Sequence, residues 1–454
     1  MKPSLALALL AAALSGAAAP SARSDESPVR LRVDCDRTVL PSGSAGTVII
    51  KVALDCLSPP RRDRRPPVNL ALVIDRSGSM TGEKIAKARE AALELVRRLG
   101  SDDILSLVVF DTRVDTLVPA QRVGPARARF ESEICGIEPG DTTALYAGVA
   151  RGASEVRRYI EEHRFVHRII LVSDGVANVG PSTPEELGRF GASLVKEGIS
   201  VTTIGLGLDY NEDLMARLAD LSDGNTYFVE NSSDLPRIFA AELGDVLSVV
   251  ARRVVITIEF PEGVRPLRFV GRDGTIRGQQ AELTLNQLYG GQQKFALVEV
   301  EVAAAKDGAD REIAKARVDF ENAASGRPAT LSASRRVRFS ADRDAVVRSA
   351  DPKVQADYAA NVMALAKDEV IALADAGRQD EAAAALLMKA QELRVMGTTY
   401  GNSAVLDCAA AAAPEAARIE RQGMDNAQRK AYRAESSQIK NQQASGPNPN
   451  PGGP

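Results

Sequence analysis

Three oxygen-bearing side chains follow one apolar segment at alternate positions. After the run Leu70–Ile74, Asp75, Ser77 and Ser79 offer one carboxylate and two hydroxyls. Alternate spacing in an irregular loop can turn all three oxygens toward one point. Such a set suits a hard divalent cation, Mg²⁺ or Mn²⁺, with Ca²⁺ as a further alternative. The competing interpretation is a polar turn that caps the following helix.

Two later loops carry oxygen donors at equivalent places. The loop Gly140-Asp141-Thr142-Thr143 runs into a helical segment, and the apolar strand 168–172 continues into Ser173-Asp174-Gly175. Ligands of open α/β sheets bind at the carboxyl ends of the strands. We therefore expect Asp75, Thr143 and Asp174 to meet at one edge of a sheet. Thr142 remains an alternative to Thr143, one position away.

In this order, the three loops resemble the metal-ion-dependent adhesion site of a von Willebrand factor type A domain. Asp75, Ser77 and Ser79 match its D-x-S-x-S motif. Thr143, immediately before Ala-Leu-Tyr-Ala-Gly, matches the Thr of the second loop, and Asp174 matches the Asp of the third. The resemblance covers about residues 67–250.

The resemblance implies a mechanism as well as a fold. The hydroxyls of Ser77, Ser79 and Thr143 would touch the cation directly, while Asp75 and Asp174 would act through waters. A Glu or Asp of a partner protein would fill the open coordination position. In relatives, binding is coupled to a shift of the last helix, here about residues 233–247, and we keep this switch as a hypothesis.

Composition limits the other classes of function. The 454 residues include 57 basic and 60 acidic ones, a net charge of −3, which argues against a nucleic-acid binder. Only His163 and His167 are present, so a His-rich zinc site is excluded. We expect both to have surface or capping roles. No nucleophile, zinc-protease or phosphate-loop motif occurs, so we expect a protein that is not an enzyme.

The elements that position the loops belong to a doubly wound, mostly parallel α/β sheet, because apolar strands alternate with helical segments over residues 67–250. Strands are also expected at 29–58 and at 252–345. Two strands alone are only marginally stable. We therefore favour one β-sandwich with the α/β domain inserted between its strands, over a free hairpin plus a separate sandwich.

The two ends of the chain have different patterns. Residues 351–440 are expected to be helical, with a bend at Gly377 and a last helix starting near Pro414, and 441–454 to form a disordered tail. Residues 1–19 have the charged, apolar and small-residue regions of a signal peptide, with cleavage near Ala19. We expect an exported protein, periplasmic or secreted, with no transmembrane segment in the mature chain.

Cysteine usage fits an oxidising compartment. Four Cys are present, and Cys35 and Cys56 flank a predicted hairpin, so we predict a disulfide between them. The alternative is four unpaired, small hydrophobic side chains.

The layout as a whole resembles exported bacterial type A proteins that are often named calcium-activated chloride channel homologues and, more loosely, inter-alpha-trypsin inhibitor heavy chains. The sequence therefore favours an exported, metal-dependent protein–protein interaction module. An accessory or regulatory subunit of an envelope or membrane transport complex is the alternative. A metal-dependent hydrolase with Asp141 as its base is a less favoured one.

Overall fold

The computed structural model describes residues 27–57, 65–162, 164–175, 177 and 179–443. Three strands precede the α/β unit: β1 (Val29–Cys35), β2 (Val39–Pro41) and β3 (Gly46–Cys56). The α/β unit then contains β4 (Val68–Asp75), α1 (Glu83–Arg98), β5 (Ile104–Phe110), β6 (Val114–Arg122), α2 (Val123–Cys135), α3 (Leu145–Arg157), β7 (Val166–Ser173), α4 (Pro184–Lys196), β8 (Ile199–Leu206), α5 (Glu212–Leu221), β9 (Thr226–Val229) and α6 (Leu235–Leu247).

Seven further strands and five helices complete the described chain. The strands are β10 (Val249–Glu259), β11 (Val264–Val270), β12 (Thr275–Arg277), β13 (Gln280–Tyr289), β14 (Gln293–Val302), β15 (Asp310–Asn322) and β16 (Pro328–Ser340). The helices are α7 (Arg343–Arg348), α8 (Pro352–Asp375), α9 (Gln379–Tyr400), α10 (Ser403–Gln422) and α11 (Asn426–Lys440).

The α/β unit is a three-layered structure around one six-stranded sheet. The strand order is β6-β5-β4-β7-β8-β9, and only the edge strand β6 runs antiparallel to its neighbour. All eight residues of β4 are buried because helices cover both faces. Helices α1, α2 and α6 pack on one face, and α3, α4 and α5 pack on the other. The predicted fold class, a doubly wound and mostly parallel sheet, is confirmed.

The β-sandwich takes strands from both sides of the α/β unit. One sheet has the order β1-β3-β14-β11, and the other has the order β12-β13-β10-β15-β16-β2. Strand β3 lies between β1 and β14, so the N-terminal strands are not a free hairpin. Apolar residues that face inward from both sheets form the sandwich core. The α/β unit is therefore an insertion between β3 and β10.

The C-terminal helices cover the outer face of the smaller sheet and also contact the α/β unit. Ile49 and Leu297 of the sheet pack against apolar residues of α8–α10. At the other side, Arg429 and Lys430 of α11 form ion pairs with Glu212 at the start of α5. Among the described residues, none of the helices combines the length and the apolar character needed to cross a membrane.

One boundary inside the C-terminal prediction is wrong, and the predicted bend is right. Pro414 lies inside α10 instead of starting a helix, and a separate helix, α11, follows. Gly377 does form the bend between α8 and α9, with a φ of 73°. Residues 441–443 are held in place, since the ammonium of Lys294 donates to the carbonyls of Asn441 and Gln442. The rest of the predicted tail and the predicted signal peptide lie outside the described residues.

The predicted Cys35–Cys56 disulfide is wrong. The register of β1 with β3 places Cys35 opposite Ile50 and Cys56 opposite Val29, so the two thiols lie at opposite ends of the strand pair. Six residues along a strand span about 20 Å. A disulfide needs Cα atoms about 4.4–6.8 Å apart. Both cysteines are buried and unpaired.

The expected surface role of His167 is also wrong. This residue is buried in β7, and its Nδ1 lies 3.0 Å from the side-chain nitrogen of Asn69 in β4. The ring therefore belongs to the base of the sheet. His163 lies outside the described residues.

A buried ion pair of the α/β unit lies at this base, where the unit contacts the sandwich. The Nε of Arg168 in β7 lies 3.7 Å from Glu242 of α6, and both side chains are fully buried. The same guanidinium donates to Gln287 and to the hydroxyl of Tyr289, both in β13. Two opposite charges therefore balance each other where the inserted unit meets its host.

The Glu242→Gln variant should unfold at a lower urea concentration than the wild type. It leaves the charge of Arg168 buried and uncompensated, which costs about 3 kcal/mol in comparable pairs. Adding Arg168→Met to the Glu242→Gln variant should recover most of the loss. Glu301→Gln, which breaks an exposed pair with Arg265, is the control and should cost less than about 1 kcal/mol. If Glu242→Gln and Glu301→Gln lowered the stability equally, the buried pair would not have the stabilising role assigned to it.

Candidate metal centre

Two neighbouring strands of the parallel sheet end in carboxylates. Strands β4 and β7 pair directly, with Ile74 opposite Val172, so Asp75 ends β4 level with Ser173 and Asp174 follows one residue further along. Neither side chain is exposed to solvent. The hydroxyl of Ser173, the last residue of β7, donates to Asp75 Oδ2. The sheet alone thus places two acidic groups in one buried spot.

The loop after β4 connects these carboxylates through its serines. The amide of Ser77 donates to Asp75 Oδ1 at 2.8 Å, which folds the loop back over the strand end. The hydroxyl oxygens of Ser77 and Ser79 are 3.1 Å apart, and Ser79 donates to Asp174 Oδ1 at 2.7 Å. The four side chains therefore form one continuous hydrogen-bonded group.

The second loop is attached to the first by its backbone. The amide of Gly78 donates to the carbonyl of Asp141 at 2.9 Å, and the amide of Gly140 donates to the carbonyl of Arg76. A Cβ at residue 140 would lie 2.2 Å from a carboxylate oxygen of Asp111, so any residue other than glycine would displace that side chain. These contacts fix the backbone that leads to Thr143.

The structure distinguishes the two candidate threonines. Thr143 is buried, and its hydroxyl would lie 2.6 Å from a Cβ on Gly175, the residue after Asp174. Thr142 is exposed, and its hydroxyl donates to Thr112 at 2.9 Å, away from the carboxylates. The five predicted residues Asp75, Ser77, Ser79, Thr143 and Asp174 thus lie together, and Thr142 does not join them.

An ion-pair cluster that was not predicted braces the loops from the side. The guanidinium of Arg76 donates to Asp111 at 2.9 Å and also to Asp115. Asp111 lies just after β5, so this cluster ties the end of β4 to the end of its neighbour. The D-x-S-x-S pattern treats Arg76 as a free position, and nothing local in the sequence indicates its partners.

Lys84 is a second residue that the motif does not include. Its ammonium donates to Asp174 Oδ2, so both oxygens of this carboxylate are engaged. A sequence signal for it does exist. Lys84 is in the first turn of α1, where the helix dipole disfavours a cation. A lysine in that position needs an acidic partner from elsewhere in the fold.

Burial sets the electrostatics of Asp75. It raises the pKa of this carboxyl to about 6, while the hydrogen bonds from Ser173 and Ser77 act in the opposite direction. The nearby charge of Asp174 adds to the increase in the pKa. A positive charge placed between two such groups favours their ionised forms.

The donor set fits a small, hard cation. Carboxylate and hydroxyl oxygens are the ligands of Mg²⁺ and Mn²⁺, and no nitrogen or sulfur donor belongs to this group. In the described part of the chain, no three His, Cys, Asp or Glu side chains are grouped to hold a metal ion. A cation at this edge would therefore need the hydroxyls of Ser77, Ser79 and Thr143 beside the two carboxylates.

Comparison with known proteins identifies the inserted unit. Residues 69–241 match the family model of the von Willebrand factor type A domain. The inserted unit is a von Willebrand factor type A domain. The match begins in β4 and ends in α6, so it coincides with the inserted α/β unit and leaves the sandwich and the C-terminal helices outside.

Individual relatives extend this result. An uncharacterized protein of Synechocystis sp., sll0103, is 28% identical over 280 residues, which is 60% of this chain and 65% of that protein. Human inter-alpha-trypsin inhibitor heavy chain H3 is 30% identical over 176 residues, 37% of this chain and 20% of that protein. The chain thus spans less than two thirds of the length of these relatives.

A solved structure shares the wider architecture. The von Willebrand factor type A protein from Catenulispora acidiphila superimposes with a TM-score of 0.65 at 16% identity. The superimposed region covers 84% of this chain and 89% of the Catenulispora chain. The similarity therefore includes the fold beyond the type A domain, and it concerns the fold alone.

Gly175→Ala should weaken Mg²⁺ binding at least about tenfold without removing any donor oxygen, because the new methyl group displaces the hydroxyl of Thr143. Isothermal titration with Mg²⁺ measures the change. Gly244→Ala in α6 is the matched control, since a Cβ there meets nothing within 4 Å. If both variants bound Mg²⁺ as the wild type does, Thr143 would have no part in the site.

Proposed function

We propose that the protein is an exported, metal-dependent protein–protein interaction module whose type A domain binds an acidic side chain of a partner. The observation that carries the proposal is the grouping of Asp75, Ser77, Ser79, Thr143 and Asp174 at one edge of the sheet. A divalent cation, Mg²⁺ first, supplies an electrophilic coordination position there when bound. Export is proposed from the signal-peptide pattern of residues 1–19.

The surface around the site supports a protein ligand. Ser79, at the centre of the donor group, is exposed, so the group opens to solvent on that side. Val179, in the loop after β7, and Leu208, in the loop after β8, are 40% and 39% exposed. Apolar side chains beside a charged contact can exclude water from it, as the surroundings of interface hot spots do. A partner can therefore combine one acidic contact with apolar packing.

The position of the site in the molecule supports the same use. The two connections of the type A domain to the sandwich run into Val68 and out of Leu247. Val68 starts β4, and the C-terminal half of α6 lies beside the start of β7, since Glu242 pairs with Arg168. The metal-binding edge is at the opposite end of the strands, so the sandwich does not cover it.

We also propose that the site is not catalytic. Both oxygens of Asp75 accept hydrogen bonds from Ser77 and Ser173, and both oxygens of Asp174 accept from Ser79 and Lys84. A general base needs a free lone pair aimed at its substrate. These hydrogen bonds hold both carboxylates against the protein's own donors, and neither side chain is exposed to meet a substrate.

Asp75→Asn should abolish capture of the partner. In the test, immobilised protein is incubated with an envelope extract and with culture supernatant in the presence of Mg²⁺, and bound protein is released with a chelator. The released partner is then purified, and its affinity for the wild type and for the variant is measured by surface plasmon resonance. Loss of one negative charge and one anchor of the loop should reduce affinity at least about a hundredfold.

The matched control is Asp102→Asn, which removes the same charge from an exposed residue at the opposite end of the sheet, away from the donor group. This variant should bind the partner like the wild type. Replacing the partner's acidic residues singly should identify one whose loss equals the effect of Asp75→Asn. Binding that survives the chelator and Asp75→Asn would refute metal-dependent recognition.

A further inference from the structure

Lys84 is the one cation that contacts the buried carboxylates of the candidate metal centre in the part of the chain that the structure describes. Its ammonium lies on Asp174 Oδ2, while Asp174 itself is completely buried and the lysine side chain is 27% exposed. The other oxygen of Asp174 accepts from Ser79. Lys84 thus reaches the donor group from the solvent side, through a helix that begins immediately after the first loop.

The loop after β8 confines this ammonium. A Cβ on Gly207 would lie 3.4 Å from the Nζ of Lys84, so the amine is at van der Waals distance from that loop. The other basic residue of the first loop, Arg76, points away, because Asp111 and Asp115 hold its guanidinium. Lys84 is therefore placed to act on the charge of the donor group, and Arg76 is not.

We propose that Lys84 is a resident counter-charge that lowers the affinity of the site for a divalent cation and, in exchange, strengthens the pull of the bound cation on a partner carboxylate. The inference rests on the proposed function and deepens it. With Lys84, two carboxylates, one ammonium and a dication leave a net positive charge. Without Lys84, the same set is neutral.

The two consequences have opposite signs. Repulsion between Lys84 and a dication held by the same carboxylates would weaken cation binding, even when water screens both charges. The same surplus positive charge attracts an incoming carboxylate. Lys84 would thus be a specificity-determining residue, which lowers the affinity for the metal and raises the selectivity for acidic ligands.

Lys84→Met tests the first consequence, since it keeps most of the side-chain volume and removes the charge. Mn²⁺ affinity is measured by electron paramagnetic resonance of free Mn²⁺, on the full chain. We expect Lys84→Met to bind Mn²⁺ at least about tenfold more tightly than the wild type. Lys84→Arg should stay near the wild type. The difference between wild type and Lys84→Met should shrink as salt is added.

Lys87→Met is the matched control. Lys87 is one turn further along α1 and pairs with Glu90 rather than with the site. The same change of charge on the same helix should alter Mn²⁺ affinity much less. If Lys84 only held Asp174 in position, Lys84→Met would weaken Mn²⁺ binding, and that result or an unchanged affinity would overturn the proposal.

Acetate, the smallest carboxylate probe, tests the second consequence on the Mn²⁺-loaded proteins. Water-proton relaxation reports acetate replacing bound water, and acetate should bind several-fold more weakly to Lys84→Met than to the wild type and Lys87→Met. Equal acetate affinities of Lys84→Met and the wild type would overturn the second consequence. Absence of Mn²⁺ binding by the wild type would overturn the proposed function as well, whereas normal binding with no effect of Lys84→Met overturns the counter-charge alone.

Discussion

The structure of the type A domain depends on one electrostatic constraint: parallel pairing of β4 with β7 brings Asp75 and Asp174, at and just beyond the two strand ends, together out of water. Two buried like charges are unfavourable unless the surroundings supply donors or a cation. The surroundings do both, through the amide of Ser77, the hydroxyls of Ser173 and Ser79, and the ammonium of Lys84. The first loop folds back on itself to bring those donors in.

A second buried charge system, at the base of the sheet, limits how the domain can move. Glu242 of α6 accepts hydrogen bonds from Thr202 of β8, from Asn225 and from Tyr227 of β9, besides its ion pair with Arg168. A shift of α6 along its axis, as the resemblance implies for ligand binding, would have to withdraw this carboxylate from all of them. Unpairing a buried charge is costly. Any such shift would therefore have to exchange these partners or rotate about them, because none of them can reach water.

How far the sequence predicts the molecule follows from the range of the interactions. The fold class and the grouping of Asp75 with Thr143 and Asp174 could be predicted, because apolar runs mark covered strands and their ends share one edge. Whether Cys35 and Cys56 form a disulfide could not be predicted, since it depends on the register of β1 with β3. Strand β6 and helix α2 have weak periodicity: β6 is a half-exposed edge strand, and α2 contains Gly124 and Pro125 in its first turn. The roles of Arg76 and Lys84 depend on partners 35 and 90 residues away.

The insertion determines how a pulling force on a bound partner would pass through the domain. Both chain connections between the type A domain and the sandwich are at the base of its sheet, and the proposed binding edge is at the far end, so a partner under tension would pull along the strands. Strand β4 leads directly from the attachment at Val68 to Asp75, and it is hydrogen-bonded to a parallel neighbour on each side over its whole length. A load on the cation would reach those bonds in shear, where many must fail together. A tether of this geometry is suited to hold a partner against force.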